Sequence, residues 1–250
     1  MKRFAILGYP LGHTLSPKLH RLLAEQLGEQ IEYSICAIPP EELEEHFEEL
    51  FCMDGFNITI PYKVRLMEQL DRLDTSARNH GAVNVVSIAA DGKRCGYNTD
   101  CVGFVRTMQS HGVPISGRVC VLGAGGVGRM FATECALRGC TVTLAVRAAS
   151  MEAAEQVAAH IRSLDAQAKV EVMDIERLDG SQAYELMINA TPVGMYPNVQ
   201  HSPVDERALR SVRTLFDCIY NPGTTLLMQQ YGDAGLAGSS SAGNLVRTLL

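Results

Sequence analysis

The sequence predicts an α/β protein made of two successive domains, and three observations carry that expectation. Short apolar runs alternate with amphipathic segments along most of the chain, the pattern of strands and helices stacked in layers around largely parallel sheets. A connector, Gly112-Val113-Pro114-Ile115-Ser116-Gly117, interrupts the alternation. Directly after it, at Arg118, a second strand–helix series begins. The expected division is 1–100, 101–235, and a closing segment 236–250 that returns toward the first domain.

Residues 4–8 form the first expected strand. Ser16-Pro17 has the chemistry of a helix cap and first position, for a helix running to about Leu27 and ended by Gly28. Residues 31–38 read as a second strand. Pro39-Pro40 then introduces EELEEHFEEL, an expected helix whose acids suit its N-terminal end and otherwise form a solvated face. Residues 56–60 are a third strand, and Pro61 opens another helix. Residues 83–88 and 94–97 pair as a hairpin turning at Asp91-Gly92. A helix follows Asp100 to about His111. Beyond the connector the order is strand (RVCVLG), helix to Arg138, strand (TVTLAVR), helix 151–164, then strands at KVEVMDI, ELMINAT and TLFDCIY. A small serine patch, residues 239–241, has no periodic pattern.

Composition narrows the functional classes. Apolar residues make up 46% of the 250 and charged residues 20%, as in an ordinary globular protein. The balance of 22 basic against 28 acidic groups argues against a general nucleic-acid binder but leaves room for an anionic small ligand. No stretch approaches the ~20 apolar residues of a membrane span, and the N-terminal apolar run is too short for a secretory leader. The eight cysteines are scattered, with no CxxC pair and no zinc spacing, so they read as reduced thiols of a cytoplasmic protein. No metal is expected.

The most specific local pattern is Gly123-Ala124-Gly125-Gly126-Val127-Gly128, lying between a strand and a helix. The first glycine permits a tight turn, the next lets backbone approach a pyrophosphate, and the last lets helix and strand pack closely. The helix start offers free N–H groups to the phosphates. This predicts a Rossmann-type doubly wound nucleotide-binding domain; the alternative is a tight turn without a ligand. NAD-binding folds usually carry an acid at the end of the next strand. Here Val146-Arg147-Ala148 stands there, and an arginine pairs with a 2′-phosphate, so NADP is expected, with NAD as the alternative. A methyltransferase using the same glycines would want an acid in place of Arg147.

Several hydrogen-bonding residues interrupt apolar runs in the first domain. Strand periodicity puts Asn57 and Thr59 on one face. Asn84 breaks GAVNVV, Asn98-Thr99-Asp100 closes the hairpin, and His13, Thr14 and Ser16 precede a helix. A polyol carboxylate needs many such donors and acceptors. Taken one at a time they also read as caps and turns: Ser16 as a cap, Asn84 and Asn98 as turn residues. Lys63 differs in kind. The chain has five lysines against seventeen arginines, and this one follows Pro61 in the first turn of a helix, where the positive end disfavours its charged form. Such a lysine exchanges a proton with an alcohol, and Asp100, if near, would orient it.

Read together, these segments resemble the shikimate dehydrogenase family. The resemblance runs through GYPLGHTLSP at 8–17, FNITIPYK at 56–63, GAVN at 81–84, NTD at 98–100, the 123–128 loop, NATPVGM at 189–195 and DCIYNP at 217–222, spanning about residues 4–235. It implies an N-terminal α/β substrate domain, a C-terminal NADP domain, and reduction of 3-dehydroshikimate to shikimate with NADPH by a monomer or homodimer acting on a small cyclic hydroxy-carboxylate. Lys63 and Asp100 match the catalytic pair. Thr14 and Ser16 match the hydroxyls that hold the substrate carboxylate, and Thr59, Asn84, Asp100 and Tyr220 match further substrate contacts. Gly123, Ala124, Gly125, Gly126 and Val127 match the pyrophosphate loop, Arg147 the 2′-phosphate contact, and Thr191 with Met195 the nicotinamide segment. Departures accompany the match. Val146, Ala148 and Met151 replace the usual flanks of Arg147, and Thr14 replaces a serine, which shifts expectation toward relaxed cofactor use and toward quinate. Thr248 aligns with the glutamine of the family's closing helix, which keeps open a nucleotide-binding relative without turnover.

Overall fold

The computed structural model describes residues 1–12, 14–233 and, as backbone, 244–247. His13, the serine patch, Thr248 and most of the closing segment 236–250 lie outside the described residues. The chain separates into two compact units, Met1–Thr99 and Asp100–Leu250. Among the described residues no helix is long and apolar enough to cross a membrane.

The first unit holds a six-stranded mixed sheet. Its strands are β1 (Lys2–Gly8), β2 (Ile31–Ala37), β3 (Gly55–Ile58), β4 (Arg72–Leu73), β5 (Val85–Ile88) and β6 (Arg94–Tyr97), in the order β2-β1-β3-β5-β6-β4. β1 runs parallel to β2 and β3, while β5 runs antiparallel to both β3 and β6. The carboxyl ends of β1, β3 and β6 therefore share one edge with the amino end of β5. That edge gathers residues 9–12, 14–16, 59–63, 83–84 and 98–99. The core against this sheet includes Leu7, Leu43, Leu50, Phe56, Tyr62 and Leu66.

Three local expectations are corrected here. The acidic segment is not one helix: it forms a 3-10 turn, Leu43–His46, and a short helix, Phe47–Phe51. Glutamates at three- and four-residue spacing repel along a helix, and only Leu43 and Leu50 of this stretch are fully buried to oppose that. The helix after Pro61 is a single turn, Tyr62–Arg65, continuing as 3-10 over Leu66–Gln69. So short a helix sums few peptide dipoles, and the helix-end argument for Lys63 carries little. Ser16 is not a cap: the helix Ser16–Gln26 begins on it, behind Leu15.

The second unit contains a wholly parallel six-stranded sheet. Its strands are β7 (Arg118–Leu122), β8 (Thr141–Val146), β9 (Lys169–Asp174), β10 (Leu186–Asn189), β11 (Thr214–Asp217) and β12 (Asn244–Arg247). Their order, β9-β8-β7-β10-β11-β12, is the 3-2-1-4-5-6 arrangement of a doubly wound nucleotide-binding sheet. β11 ends at Asp217, three residues earlier than TLFDCIY suggests. Phe104, Phe131 and Phe216, all fully buried, meet edge to face at 4.7, 5.3 and 5.6 Å and pin the helices Asp100–Ser110 and Gly126–Leu137 to this sheet.

Candidate active site

Two sets of polar groups lie at the carboxyl edges of the two sheets. In the first unit, Thr14 Oγ1 accepts from the Ser16 backbone N–H and donates to Ser16 Oγ, both at 3.2 Å. The Tyr33 hydroxyl donates to Asn57 Oδ1 at 2.7 Å. Tyr33 is 3% exposed, stacks on His20 with ring centroids 4.6 Å apart, and has its phenol pushed up by burial. Asn57 is thus held by a buried aromatic from the edge strand β2. Nothing in the alternation of IEYSICA singles out Tyr33, because its partners come from distant parts of the chain. Replacing Tyr33 by Phe should lower stability by about 1–2 kcal/mol, since Asn57 Oδ1 loses its donor. Urea unfolding checks this, and an unchanged midpoint would count against the network.

Thr59 follows β3 directly. Its N–H donates to the Leu7 carbonyl at 2.8 Å and its own carbonyl accepts from Tyr62 at 3.0 Å, starting the turn that carries Lys63. Gly8 must be glycine here, for an added methyl would overlap the Thr59 side chain. Tyr62 is fully buried and its hydroxyl donates to the Ile38 carbonyl, so the Lys63 turn is anchored at its first residue. The Lys63 carbonyl accepts from Val83 N–H at 2.7 Å, which places the lysine backbone beside Asn84. Lys63 itself is half-buried.

Asn84 is 8% exposed and Asn98 is 1% exposed; neither is a surface turn residue. Asn84 accepts from the Thr99 backbone N–H at 2.8 Å and its amide reaches Thr99 Oγ1 at 3.0 Å. Asn98 donates to the Ala82 carbonyl at 3.1 Å. The two asparagines clamp residues 98–99 to residues 82–84 and so fix where the chain enters half-buried Asp100. Thr59, Lys63 and Asn84 therefore share one edge of the first sheet, together with the Thr14–Ser16 pair.

In the second unit the glycine loop joins β7 to the helix Gly126–Leu137, with Gly125 as its cap. Gly123 has φ +95°, and its N–H donates to Ala145 at the end of β8 at 3.0 Å. A methyl on Gly128 would overlap the Gly123 carbonyl oxygen, so strand and helix touch through this glycine. Gly125 faces open space. The loop lies where β7 and β10 diverge to opposite sides of the sheet, the usual ligand crevice of such folds. Across that crevice a methyl on Gly123 would sit 3.0 Å from Thr191 Cγ2. Ala124, Gly126 and Val127 are partly open on the same turn, and exposed Arg147 follows β8 with no acid before Glu152.

Thr191 and exposed Met195 follow β10, and exposed Tyr220 follows β11. Their loops are tied together, Tyr196 N–H donating to the Asn221 carbonyl at 3.0 Å. Beneath them lies a buried polar cluster of Asn189, Asp217 and Thr225, to which residue spacing alone gave no role.

Comparison with known proteins agrees with this layout. Residues 6–86 match the family described as shikimate dehydrogenase substrate binding domain, and residues 119–193 match ketopantoate reductase PanE/ApbA. The chain is 34% identical over 237 residues to the shikimate dehydrogenase (NADP(+)) of Bacillus cereus strain B4264, covering 93% of this chain and 84% of that protein. Its fold is similar to shikimate 5-dehydrogenase from Thermus thermophilus in complex with NADP(H) and shikimate, with TM-score 0.82, 29% identity, and coverage of 98% of this chain and 87% of that one. It is also similar to quinate dehydrogenase from Corynebacterium glutamicum in complex with NAD, with TM-score 0.79, 27% identity and coverage of 94% and 86%.

Proposed function

The chain belongs to the shikimate dehydrogenase family, and we propose that it is an NADP-dependent oxidoreductase interconverting 3-dehydroshikimate and shikimate, with Lys63 and Asp100 as its catalytic pair. The observation that carries the reading is the gathering of Thr14, Ser16, Thr59, Lys63 and Asn84 at one edge of the first sheet. A polyhydroxylated ring with a carboxylate is the ligand such a set suits. Thr14 and Ser16 receive the carboxylate, and Thr59, Asn84 and Tyr220 receive the hydroxyls.

The second unit fits a dinucleotide. Open space over Gly125, the free N–H groups of the first helical turn and the absence of an acid after β8 suit a pyrophosphate and a 2′-phosphate. The 123–127 loop would hold the former and Arg147 the latter, with Thr191 and Met195 toward the nicotinamide. Bound NADPH supplies a hydride for the carbonyl carbon. Lys63 gives a proton to the carbonyl oxygen in that direction and removes one from the hydroxyl in the reverse, while Asp100 orients the lysine and the hydroxyl. Eight free thiols fit a reducing cytoplasm.

The test crosses shikimate and quinate with NADP and NAD, following the nicotinamide absorbance. Shikimate with NADP should give the highest kcat/KM; no turnover in any of the four combinations would overturn the proposal. A second reading, quinate use with relaxed cofactor choice, is favoured by Thr14 and by Val146, Ala148 and Met151 around Arg147. Arg147→Ala should raise the KM for NADP about tenfold, the worth of one lost hydrogen bond between charged groups, and leave that for NAD within about twofold. Equal effects on both cofactors would remove Arg147 from the 2′-phosphate site.

A further inference from the structure

We propose that Asp217 is a positioning residue for both ligands, a single buried carboxylate that sets the loop carrying Thr191 and Met195 and also the turn carrying Tyr220. This rests on the roles given above to those three residues. Asp217 ends β11 and is 0% exposed. Its Oδ1 accepts from Asn189 Nδ2 at 3.1 Å and from the Ile219 backbone N–H at 3.0 Å, and its Oδ2 accepts from Thr225 Oγ1 at 2.7 Å. Burial pushes its acidity down, and the three hydrogen bonds oppose that shift.

The direction of each bond is forced. The Thr191 backbone N–H can only donate, so Asn189 must turn its oxygen toward it and its NH₂ toward Asp217. That oxygen accepts from the Thr191 backbone N–H at 3.0 Å and from Thr191 Oγ1 at 2.7 Å. Thr191 Oγ1 accepts in turn from Val193 N–H at 3.2 Å, so its proton and one lone pair are committed and a single lone pair is left for a ligand donor. On the other arm, the Ile219 N–H bond fixes the residue before Tyr220. Thr225 Oγ1 accepts from Met228 N–H at 3.2 Å and secures the start of the helix Leu226–Asp233. The cofactor-side and substrate-side loops thus converge on one buried anion.

The experiment compares the wild type with Asp217→Asn, Asn189→Ala and Tyr231→Phe, using steady-state kinetics and NADP calorimetry well below the melting temperature. Asp217→Asn removes the charge that strengthens all three bonds and sets an NH₂ against Thr225 Oγ1 or, turned over, against Asn189 Nδ2 and the Ile219 N–H; it should raise the KM for both shikimate and NADP about tenfold. Asn189→Ala cuts only the Thr191 arm and should raise the NADP KM and dissociation constant about tenfold with shikimate KM within about twofold. Tyr231→Phe removes a buried hydroxyl that donates to the Arg213 carbonyl at 2.7 Å, away from both loops, and should lower Tm alone. If Asp217→Asn behaves like Tyr231→Phe, less stable with unchanged constants, the proposal fails. Should Asp217→Asn not fold, unchanged NADP constants in Asn189→Ala would overturn it equally. An inactive wild type that binds NADP would sink the assigned reaction, while the calorimetric arm still decides the role of Asp217.

Discussion

Lys63→Ala lowers kcat by about 10²–10⁴, the usual contribution of a positioned acid or base, while the protein remains folded. The fold should survive because the turn is held by its neighbour and its backbone. Tyr62 supplies the buried anchor, and the Lys63 carbonyl keeps its bond to Val83 whatever side chain follows. Circular dichroism and a Tm near the wild-type value establish the second half of the prediction. Lys63→Arg separates charge from proton exchange: arginine keeps the charge but does not give up its proton at neutral pH, so it should be nearly as impaired as alanine. An arginine variant with most of the activity would show that position 63 acts only by charge.

The second large effect concerns two glycines three residues apart. Gly125→Ala should weaken NADP binding at least tenfold, an effect of about 1.4 kcal/mol or more, and cost the unliganded protein no more than about 4 °C in Tm. Gly125 has φ −68° and ψ −176°, which alanine adopts freely, and its methyl would enter space that no protein atom occupies. Gly128→Ala is different in kind. Its methyl would overlap the Gly123 carbonyl, a backbone atom, so the helix start must lift from the strand at a cost of about 1–3 kcal/mol. Both stability and NADP binding should fall. Thermal melts with and without NADP distinguish the two variants. Wild-type affinity in Gly125→Ala would mean that the loop is not where the phosphates lie.

Much of this architecture was legible in the chain because the relevant signals are local. The 123–128 glycines announce a strand–turn–helix unit, the alternation in FNITI announces a half-buried strand, and Asp91-Gly92 announces a hairpin whose turn has Gly92 at φ +80°. Elements with weak local signals escaped. The two-residue strand β4 and the helices Thr75–His80 and Leu226–Asp233 depend on tertiary partners, and the acidic segment broke where charge repulsion outweighed helical periodicity. The same division runs through the candidate site. Glycines and an unusual lysine stand out by residue type. Tyr33 and Asp217 matter through bonds to residues 24 and 28 positions away, and no spacing rule reaches that far.

β5 is antiparallel to both of its neighbours, so its far end opens onto solvent at the rim opposite Thr59, Lys63 and Asn84. Ala89–Lys93 make that reversal as a fully exposed loop closed by Gly92 and the Asp91 side chain. An epitope or a reporter domain inserted between Asp91 and Gly92 would lengthen the polypeptide on the side away from those three polar residues, which makes this tip the natural handle for immobilising or labelling the enzyme.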